Sequence, residues 1–244
     1  MNEKNLRISD AMQNTSEIKR KFYEKKGTNA VKQFQKNGFQ AYYTPERQEA
    51  AKLLLKLIQD QATVGVGDSH TVYSLDLDEA LLEKKCRIIM NKAALNLHRY
   101  KSSDDKGYTK APSRELARMW LSEYLTSNVY LLGANAITMH GEIVDVDGVG
   151  NHIAASLYGA DRIIVIAGVN KQVPEESAAR DRIRFIATPM NKIKYGAECP
   201  CVKTGICTDC HTPNRGCNIT AVIHRRPIES DFHVILIEEE ELGF

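Results

Sequence analysis

The sequence lacks three features that would each indicate a class of protein. Its 33 basic residues nearly balance its 31 acidic residues, for a net charge of +2, so there is no broad positive field to attract nucleic acid or an anionic membrane surface. Its most apolar runs have the length of a strand, far short of the roughly 20 residues that span a bilayer, and residues 1–10 lack the apolar core of a secretory signal. We therefore expect a cytoplasmic protein with no nucleic-acid partner and no membrane span.

The common nucleotide-binding motifs are also missing. The stretch Val64–Thr71, VGVGDSHT, has no third glycine for a dinucleotide fingerprint and no Gly-Lys-Ser or Gly-Lys-Thr for a P-loop. Because no flavin or nicotinamide motif is present, a redox function would require electron transfer to another subunit.

What is present is a regular alternation of strand-like and helical segments. Apolar runs such as 128–133 and 162–167 are separated by helical segments of about 10 to 15 residues, the pattern of a parallel sheet covered on both faces. Residues 136–147 depart from it with two alternating segments around His140-Gly141, which predicts a hairpin with a two-residue turn. We predict an α/β fold, with a layered, mostly parallel sheet and helices on both faces.

The predicted domain organisation is simple. Residues 1–38 are expected to form an N-terminal helical segment, interrupted at Gly27, that packs on a single α/β domain formed by residues 39–244. Within that domain, residues 196–218 form a loop rich in cysteine, glycine and proline.

Prolines set several of the predicted helix boundaries. Thr44-Pro45 is expected to begin a helix as its N-cap and first-turn residue. Pro174 is expected to start a long helix that Pro189 stops, and a further helix is predicted over Pro112–Tyr124.

Five of the six cysteines lie in the 196–218 loop, spaced as C-x-C-x5-C-x2-C-x6-C. A reducing cytosol disfavours a disulfide framework, and the glycines and prolines of the loop allow the sharp turns that bring thiolates to one centre. Basic residues nearby, Lys192, Lys194, Lys203 and Arg215, would offset the thiolate charge. We predict a metal or iron–sulfur centre whose ligands are drawn from Cys199, Cys201, Cys207, Cys210 and Cys217, with His211 as a substitute ligand.

Other interpretations of the cysteines stay open. Four sulfurs suit zinc and iron–sulfur centres alike, and a redox disulfide or reduced thiols are further alternatives. The sixth cysteine, Cys86, stands alone in a predicted strand and is expected to be a core residue.

Polar and small residues follow several predicted strands, where open α/β sheets bind their ligands. They could form turns only, or line a pocket for a small carboxylic acid or phosphate, with Lys171 as the best anion partner. The single histidines His98, His140 and His152 match no zinc motif. The predicted ligand-binding residues are Gly65, Gly67, Asp68, Ser69, His70, Thr71, Asn135, Thr138, Gly148, Gly150, Asn151, Asn170 and Lys171, and the predicted catalytic candidates are Glu142 and Asp147.

Several segments together resemble the LUD (lactate utilisation, formerly DUF162) domain family. They are residues 135–151, 168–174, 182–184, 189–191, the 199–217 cysteine cluster and the terminal Glu-Leu-Gly-Phe244. The resemblance implies a fold like that of the glucosamine-6-phosphate isomerase, ribose-5-phosphate isomerase and CoA-transferase group, with its site at the carboxyl ends of the strands. It also implies a role in oxidising L-lactate or a related 2-hydroxy acid, together with iron–sulfur partner subunits.

Three functions follow. The first is a component of a lactate-utilisation oxidoreductase system, with an iron–sulfur cluster such as a four-iron, four-sulfur centre in the cysteine loop. The second is a sugar-phosphate isomerase or acyl/CoA-transferase-like enzyme, with Glu142 or Asp147 as general base or nucleophile and structural zinc in the loop. The third is a regulatory module that binds a small acid without turnover.

Overall fold

The strands that the structure describes in the main sheet are all parallel. The structure is a computed structural model that describes residues 8–90, 122–123 and 125–244. In spatial order, six parallel strands form the sheet: β1 (Gln40–Thr44), β10 (Asp231–Ile237), β7 (Arg162–Gly168), β4 (Val129–Gly133), β2 (Thr63–Val66) and β3 (Arg87–Met90). The predicted parallel α/β arrangement is confirmed.

A second sheet of four strands carries the predicted hairpin. Its order is β8 (Gln172–Val173), β5 (Ala136–Thr138), β6 (Ile143–Asp147) and β9 (Ile219–Ile223). The β5–β6 pair is antiparallel, but its turn has three residues rather than two. The Thr138 amide donates to the Glu142 carbonyl at 2.9 Å and Gly141 has a φ of +77°, as in a type I turn that is followed by a glycine bulge.

Helices and the second sheet cover both faces of the main sheet. The α-helices are α1 (Ile8–Lys36), α2 (Arg47–Leu57), α3 (His70–Tyr73), α4 (Asp78–Glu83), α5 (Asn151–Leu157), α6 (Glu176–Arg182), α7 (Thr188–Lys194) and α8 (Pro200–Thr204). A 3-10 turn spans Val169–Lys171 and a π-helical turn spans Ile183–Ala187. No helix in the described ranges is long and apolar enough to cross a membrane.

Successive residues of the central strands point into two different apolar cores. Ile163 and Val165 of β7 pack in one core with Phe34 of α1, whereas Ile164 and Ile166 pack in the other, with α2, α3 and α4. This alternation is what strand geometry requires of a sheet that is covered on both faces. The isolated Cys86 lies in the second core with 7% of its surface exposed, as predicted.

Three predicted boundaries were wrong. Helix α1 runs through Gly27 without interruption, and the Tyr43 ring packs where a Cβ of residue 27 would lie. Thr44 is the last residue of β1, and Glu46 is the N-cap of α2. Helical structure continues past Pro189, which lies in the first turn of α7.

Pro189 follows a change in the type of helix. The Ile183–Ala187 turn directly before it is π-helical, and Pro189 lies in the first turn of α7. Proline is tolerated in the first turn of a helix, whereas in the interior it normally clashes with the carbonyl one turn earlier. The predicted helix over 112–124 and His98 lie outside the described residues, apart from positions 122 and 123.

Candidate functional site

The loops that follow β2, β4 and β7 meet at the carboxyl edge of the main sheet and line a small cavity of about 50 Å³ that is partly open to solvent. Five of the predicted ligand-binding residues line it: Asp68, Ser69, His70, Asn135 and Lys171. The sequence prediction did not assign the other lining residues, which are Gly133, Ala134, His152, Asn191 and Phe244. Most of these groups are polar, so the cavity suits a small polar ligand.

Lys171 is the buried cation of this cavity. Only 3% of its surface is exposed, and its Nζ donates to the Thr71 hydroxyl at 2.8 Å. Thr71 is itself fully buried and donates to the Leu242 carbonyl at 3.3 Å. Burial, and to a smaller extent the nearby Arg182, lower the pKa of Lys171 to about 7, and Asp145 opposes both effects. The amine therefore exists in both protonation states near neutral pH.

Arg182 joins two of the loops that form the cavity. Its guanidinium donates to the carbonyl oxygen of Asn170 at 3.3 Å and to that of Asn135, so it connects the loop after β7 to the loop after β4. Asn170 also donates to the Gly243 carbonyl at 3.1 Å. These contacts explain why Asn170, which does not line the cavity, is held beside it.

Asp145 lies behind the cavity with 3% of its surface exposed. Burial raises its pKa, against the opposing effects of His152, the Asn135 backbone amide and Lys171. Its Oδ1 accepts from the Asn135 amide at 2.6 Å, and within the described part of the chain its Oδ2 has no hydrogen-bond partner. Burial of a carboxyl group opposes its charged form, which is the direction of the shift here.

Two further groups of the cavity are held by specific partners. Asp68 accepts from Lys194 Nζ at 2.7 Å and from the Tyr73 hydroxyl at 2.8 Å. His152 Nδ1 lies 3.2 Å from the Tyr130 hydroxyl. A Cβ on Gly67 would lie 2.9 Å from that hydroxyl, so glycine is needed for this close approach.

Other predicted site residues have structural surroundings instead. Gly65 lies inside β2. Asp147 caps the start of α5: its carboxylate accepts from the amides of Val149, His152 and Ile153 at 2.8 to 3.2 Å. Burial raises the pKa of Asp147, but these backbone hydrogen bonds outweigh it and lower the pKa below its usual value.

The residues after Asp147 complete the same turn. Gly150 is the N-cap of α5 with a φ of +97°, a conformation that favours glycine. Asn151 begins the helix, and its buried Nδ2 has no hydrogen-bond partner in the described ranges. Gly148 lies against Gly216 of the cysteine loop, because a Cβ there would be 3.0 Å from the Gly216 Cα.

Glu142 and Thr138 lie at the hairpin turn and do not line the cavity. Glu142 accepts from the Thr138 hydroxyl at 2.9 Å, and its other oxygen lies 2.8 Å from His224 Nδ1. Burial raises the pKa of Glu142, but the hydrogen bonds from His224 and Thr138 outweigh it and lower the pKa. This geometry gives Glu142 no access to a ligand in the cavity.

The five clustered cysteines are not joined by disulfide bonds, and several of their thiols lie close enough to influence one another. Cys199 and Cys201 are buried, and Cys207, Cys210 and Cys217 are half-buried. Cys199 and Cys210 share the Thr212 hydroxyl, at sulfur–oxygen distances of 3.7 and 3.5 Å.

Electrostatics link the same thiols. Burial raises the pKa of Cys201, and the neighbouring Cys199, Cys210 and Cys207 raise it further. Burial also raises the pKa of Cys217, with Arg215 opposing and Cys207 and Cys210 adding to the increase. No three His, Cys, Asp or Glu side chains in the described ranges are arranged as a metal site.

Two arginines place positive charge beside the thiols. Arg215 donates to the carbonyl oxygens of Cys210 and Cys217 at 2.5 and 3.3 Å and pairs with Asp209 at 2.8 Å. Arg184 hydrogen-bonds the Cys207 thiol, which raises the pKa of the guanidinium. The loop can thus offset part of the charge of bound thiolates.

The cysteine loop and the cavity share two structural elements. The Asp147–Asn151 turn leads into His152 of the cavity, and Asn218, just after the cysteines, hydrogen-bonds the Asp147 and Gly148 carbonyls at 3.1 and 3.0 Å. Helix α7 carries Asn191 of the cavity, whereas its Lys192 packs against Gly216 of the loop. The two sites are therefore neighbours.

Comparison with known proteins decides the family. Residues 27–237 match the family model of the LUD domain. This chain belongs to the LUD domain family. The family is associated with lactate utilisation. This LUD domain is similar to a crystal structure, at 1.70 Å resolution, of a DUF162 family protein from Deinococcus radiodurans. The two chains are 10% identical, the TM-score is 0.46, and the match covers 89% of this chain and 98% of that chain. No curated protein matches the sequence.

Signals for some unassigned cavity residues of the LUD domain were present in the sequence. Asn191 and Phe244 belong to the Pro-Met-Asn and Glu-Leu-Gly-Phe segments that carry the family resemblance, but no role was inferred for them. His152 was interpreted as structural, because a single histidine has no informative spacing. Asp145 and Arg182 could not be identified, since their role depends on burial beside Lys171.

Proposed function

We propose that this LUD domain binds a small carboxylic acid in the cavity and serves as a component of a system that oxidises lactate or a related 2-hydroxy acid. The observation that supports this most strongly is the buried Lys171 in a small cavity lined by polar groups. Among the described residues no carboxylate lies within ion-pair distance of Lys171, and a cation in this situation is suited to bind an anion.

The size and chemistry of the cavity favour a ligand with few atoms. A volume of about 50 Å³ holds only a few groups the size of a water molecule. Ser69, His70, Asn135 and Asn191 add hydroxyl, imidazole and amide groups around it. The Asp68 carboxylate is paired with Lys194 at 2.7 Å, which reduces its repulsion of a bound anion.

Anion binding should be linked to proton uptake. The pKa of Lys171 is about 7 in the free protein, and a bound carboxylate would favour the charged amine. Below neutral pH the amine is already protonated, so the ligand should bind more tightly there than at pH 8 or above.

The cysteine loop is the proposed site of an iron–sulfur cluster, with zinc as the alternative. Thiolates are ligands for either one, and the Cys201 and Cys217 thiols both lie close enough to Cys207 and Cys210 for their pKa to be raised by them. Arg184 and Arg215 lie beside these thiols. An iron–sulfur cluster would supply one-electron transfer, and the shared α7 and Asp147–Asn151 turn would keep it near the cavity. Electrons would then leave to iron–sulfur partner subunits, since the sequence has no flavin or nicotinamide motif.

Metal analysis tests the loop. Anaerobic purification followed by assays of iron, acid-labile sulfide and zinc should find iron with sulfide, and Cys207→Ser and Cys210→Ser should lose both. Cys86→Ser is the control, because Cys86 lies in the apolar core away from the loop. Stoichiometric zinc without sulfide would refute the electron-transfer role.

Calorimetry with L-lactate and with pyruvate tests the cavity. Either acid should bind the unchanged protein, and Lys171→Met should weaken binding at least tenfold, since a charge-assisted contact contributes about 1.5–3 kcal/mol. Lys26→Met is the control: Lys26 is a partly buried lysine that donates to the Gln172 carbonyl at 3.0 Å and does not line the cavity. Equal binding by both variants would refute the proposed site.

A further inference from the structure

We propose that the Lys171 amine forms an imine with the carbonyl carbon of a 2-oxo acid in the cavity. This deepens the proposed function and rests on it, because the 2-oxo acid is the product class of 2-hydroxy-acid oxidation. Lys171 would then have a covalent role in addition to binding the carboxylate of the ligand.

The contacts of Lys171 differ from those of a structural lysine. A buried lysine usually pairs with a carboxylate or extends its amine to solvent, as Lys194 pairs with Asp68 at 2.7 Å. Within the described part of the chain, Lys171 has no carboxylate at ion-pair distance, and its amine makes one side-chain hydrogen bond, to Thr71.

That hydrogen bond orients the amine. The Thr71 hydroxyl donates its own proton to the Leu242 carbonyl at 3.3 Å, so it accepts from Lys171 and leaves the amine lone pair available when the amine is neutral. The pKa of Lys171 is lowered to about 7, chiefly by burial, so a neutral, nucleophilic amine is available near neutral pH.

The remaining groups of the cavity match what the other end of a 2-oxo acid requires. Ser69, Asn135 and Asn191 can contact the carboxylate, and the imidazoles of His70 and His152 are placed in the same cavity. An imidazole can donate the proton that leaves with the carbonyl oxygen. Arg182 lies behind Lys171 and holds the two loops together.

The reaction balances without any oxidant. The amine nitrogen attacks the C2 carbonyl carbon, a C–N bond forms, and the carbonyl oxygen takes up a proton to give a carbinolamine. That hydroxyl then leaves as water, the nitrogen releases its protons, and a C=N bond remains. One amine and one carbonyl thus give one imine and one water.

Reductive trapping tests the imine. The full chain is incubated at pH 7 with pyruvate and sodium cyanoborohydride, and the product is measured by intact mass spectrometry and peptide mapping. We expect a single adduct with the mass of reduced pyruvate imine, located on Lys171. Lys171→Met should give no such adduct, and Lys26→Met should react like the unchanged protein.

Pyruvate binding measured by calorimetry without the reductant separates the two proposals. Binding with no adduct on Lys171 would overturn the imine and leave the proposed acid site intact. If pyruvate neither binds nor forms an adduct, both proposals are overturned. An adduct spread over surface lysines would also count against the imine. If Lys171→Met does not fold, the peptide map of the unchanged protein still locates the adduct.

Discussion

Replacing Lys171 by methionine should stabilise the protein, and by an amount that depends on pH. In the folded protein, burial lowers the pKa of Lys171 from 10.5 to about 7. Between these two values the unfolded chain binds more protons at this residue than the folded chain does, so stability rises with pH in that window. Below about pH 7 the cost of burying the charge is fully present.

The size of the effect follows from the two pKa values. Their difference corresponds to about 5 kcal/mol at 1.4 kcal/mol per pH unit. Methionine fills nearly the same volume without a charge, but it loses the hydrogen bond to Thr71, a cost of about 1 kcal/mol. At pH 7 we therefore expect Lys171→Met to be more stable than the unchanged protein by about 3–4 kcal/mol, and this advantage should fall by about 2 kcal/mol by pH 9.

Urea denaturation of both proteins at pH 6, 7, 8 and 9 measures this difference. Titrating groups away from Lys171, including the cysteines, contribute equally to both chains and cancel. Asp145 is the exception, because Lys171 lowers its pKa and the substitution removes that effect. Lys26→Met should show a smaller change with pH, because Lys26 is only partly buried. A Lys171→Met difference that stays constant from pH 7 to pH 9 would show that the Lys171 pKa is not lowered, and would refute the reasoning about the cavity.

Three other substitutions test the remaining features. Gly67→Ala should lower the free energy of unfolding in denaturant by about 1–3 kcal/mol and weaken acid binding, because the new methyl group would lie 2.9 Å from the Tyr130 hydroxyl. Unchanged unfolding and binding would refute this close packing. Asp147→Ala should lower the free energy of unfolding by about 1–2 kcal/mol at pH 7. Because the pKa of Asp147 is lowered in the folded protein, this contribution should be lost as the pH falls below 3.8 and through the pKa of the folded state. An equal loss of stability at pH 7 and at pH 2 would contradict the cap. Arg182→Met should weaken pyruvate binding through loss of the link between the Asn135 and Asn170 carbonyls, whereas Arg180→Met, in the exposed pair with Glu176, should leave binding unchanged.

Local sequence patterns determined much of the fold. Apolar strands separated by amphipathic helices specified a parallel sheet, since both signals come from residues close together in the chain. The same applies to the hairpin around His140-Gly141 and to the density of cysteines between 199 and 217. Turn residues after the strands also pointed to the edge of the sheet where Asp68, Asn135 and Lys171 meet.

Tertiary structure alone decided which of those residues share a cavity. The pKa of Lys171 is lowered by burial and by Arg182. Its amine donates a hydrogen bond to Thr71, which lies 100 positions earlier in the chain. Glu142 and Asp147 were equivalent as sequence candidates, but one pairs with His224 and the other caps α5. Charge, desolvation and hydrogen bonding act through space, so the chemistry of each group depended on neighbours that local patterns do not specify.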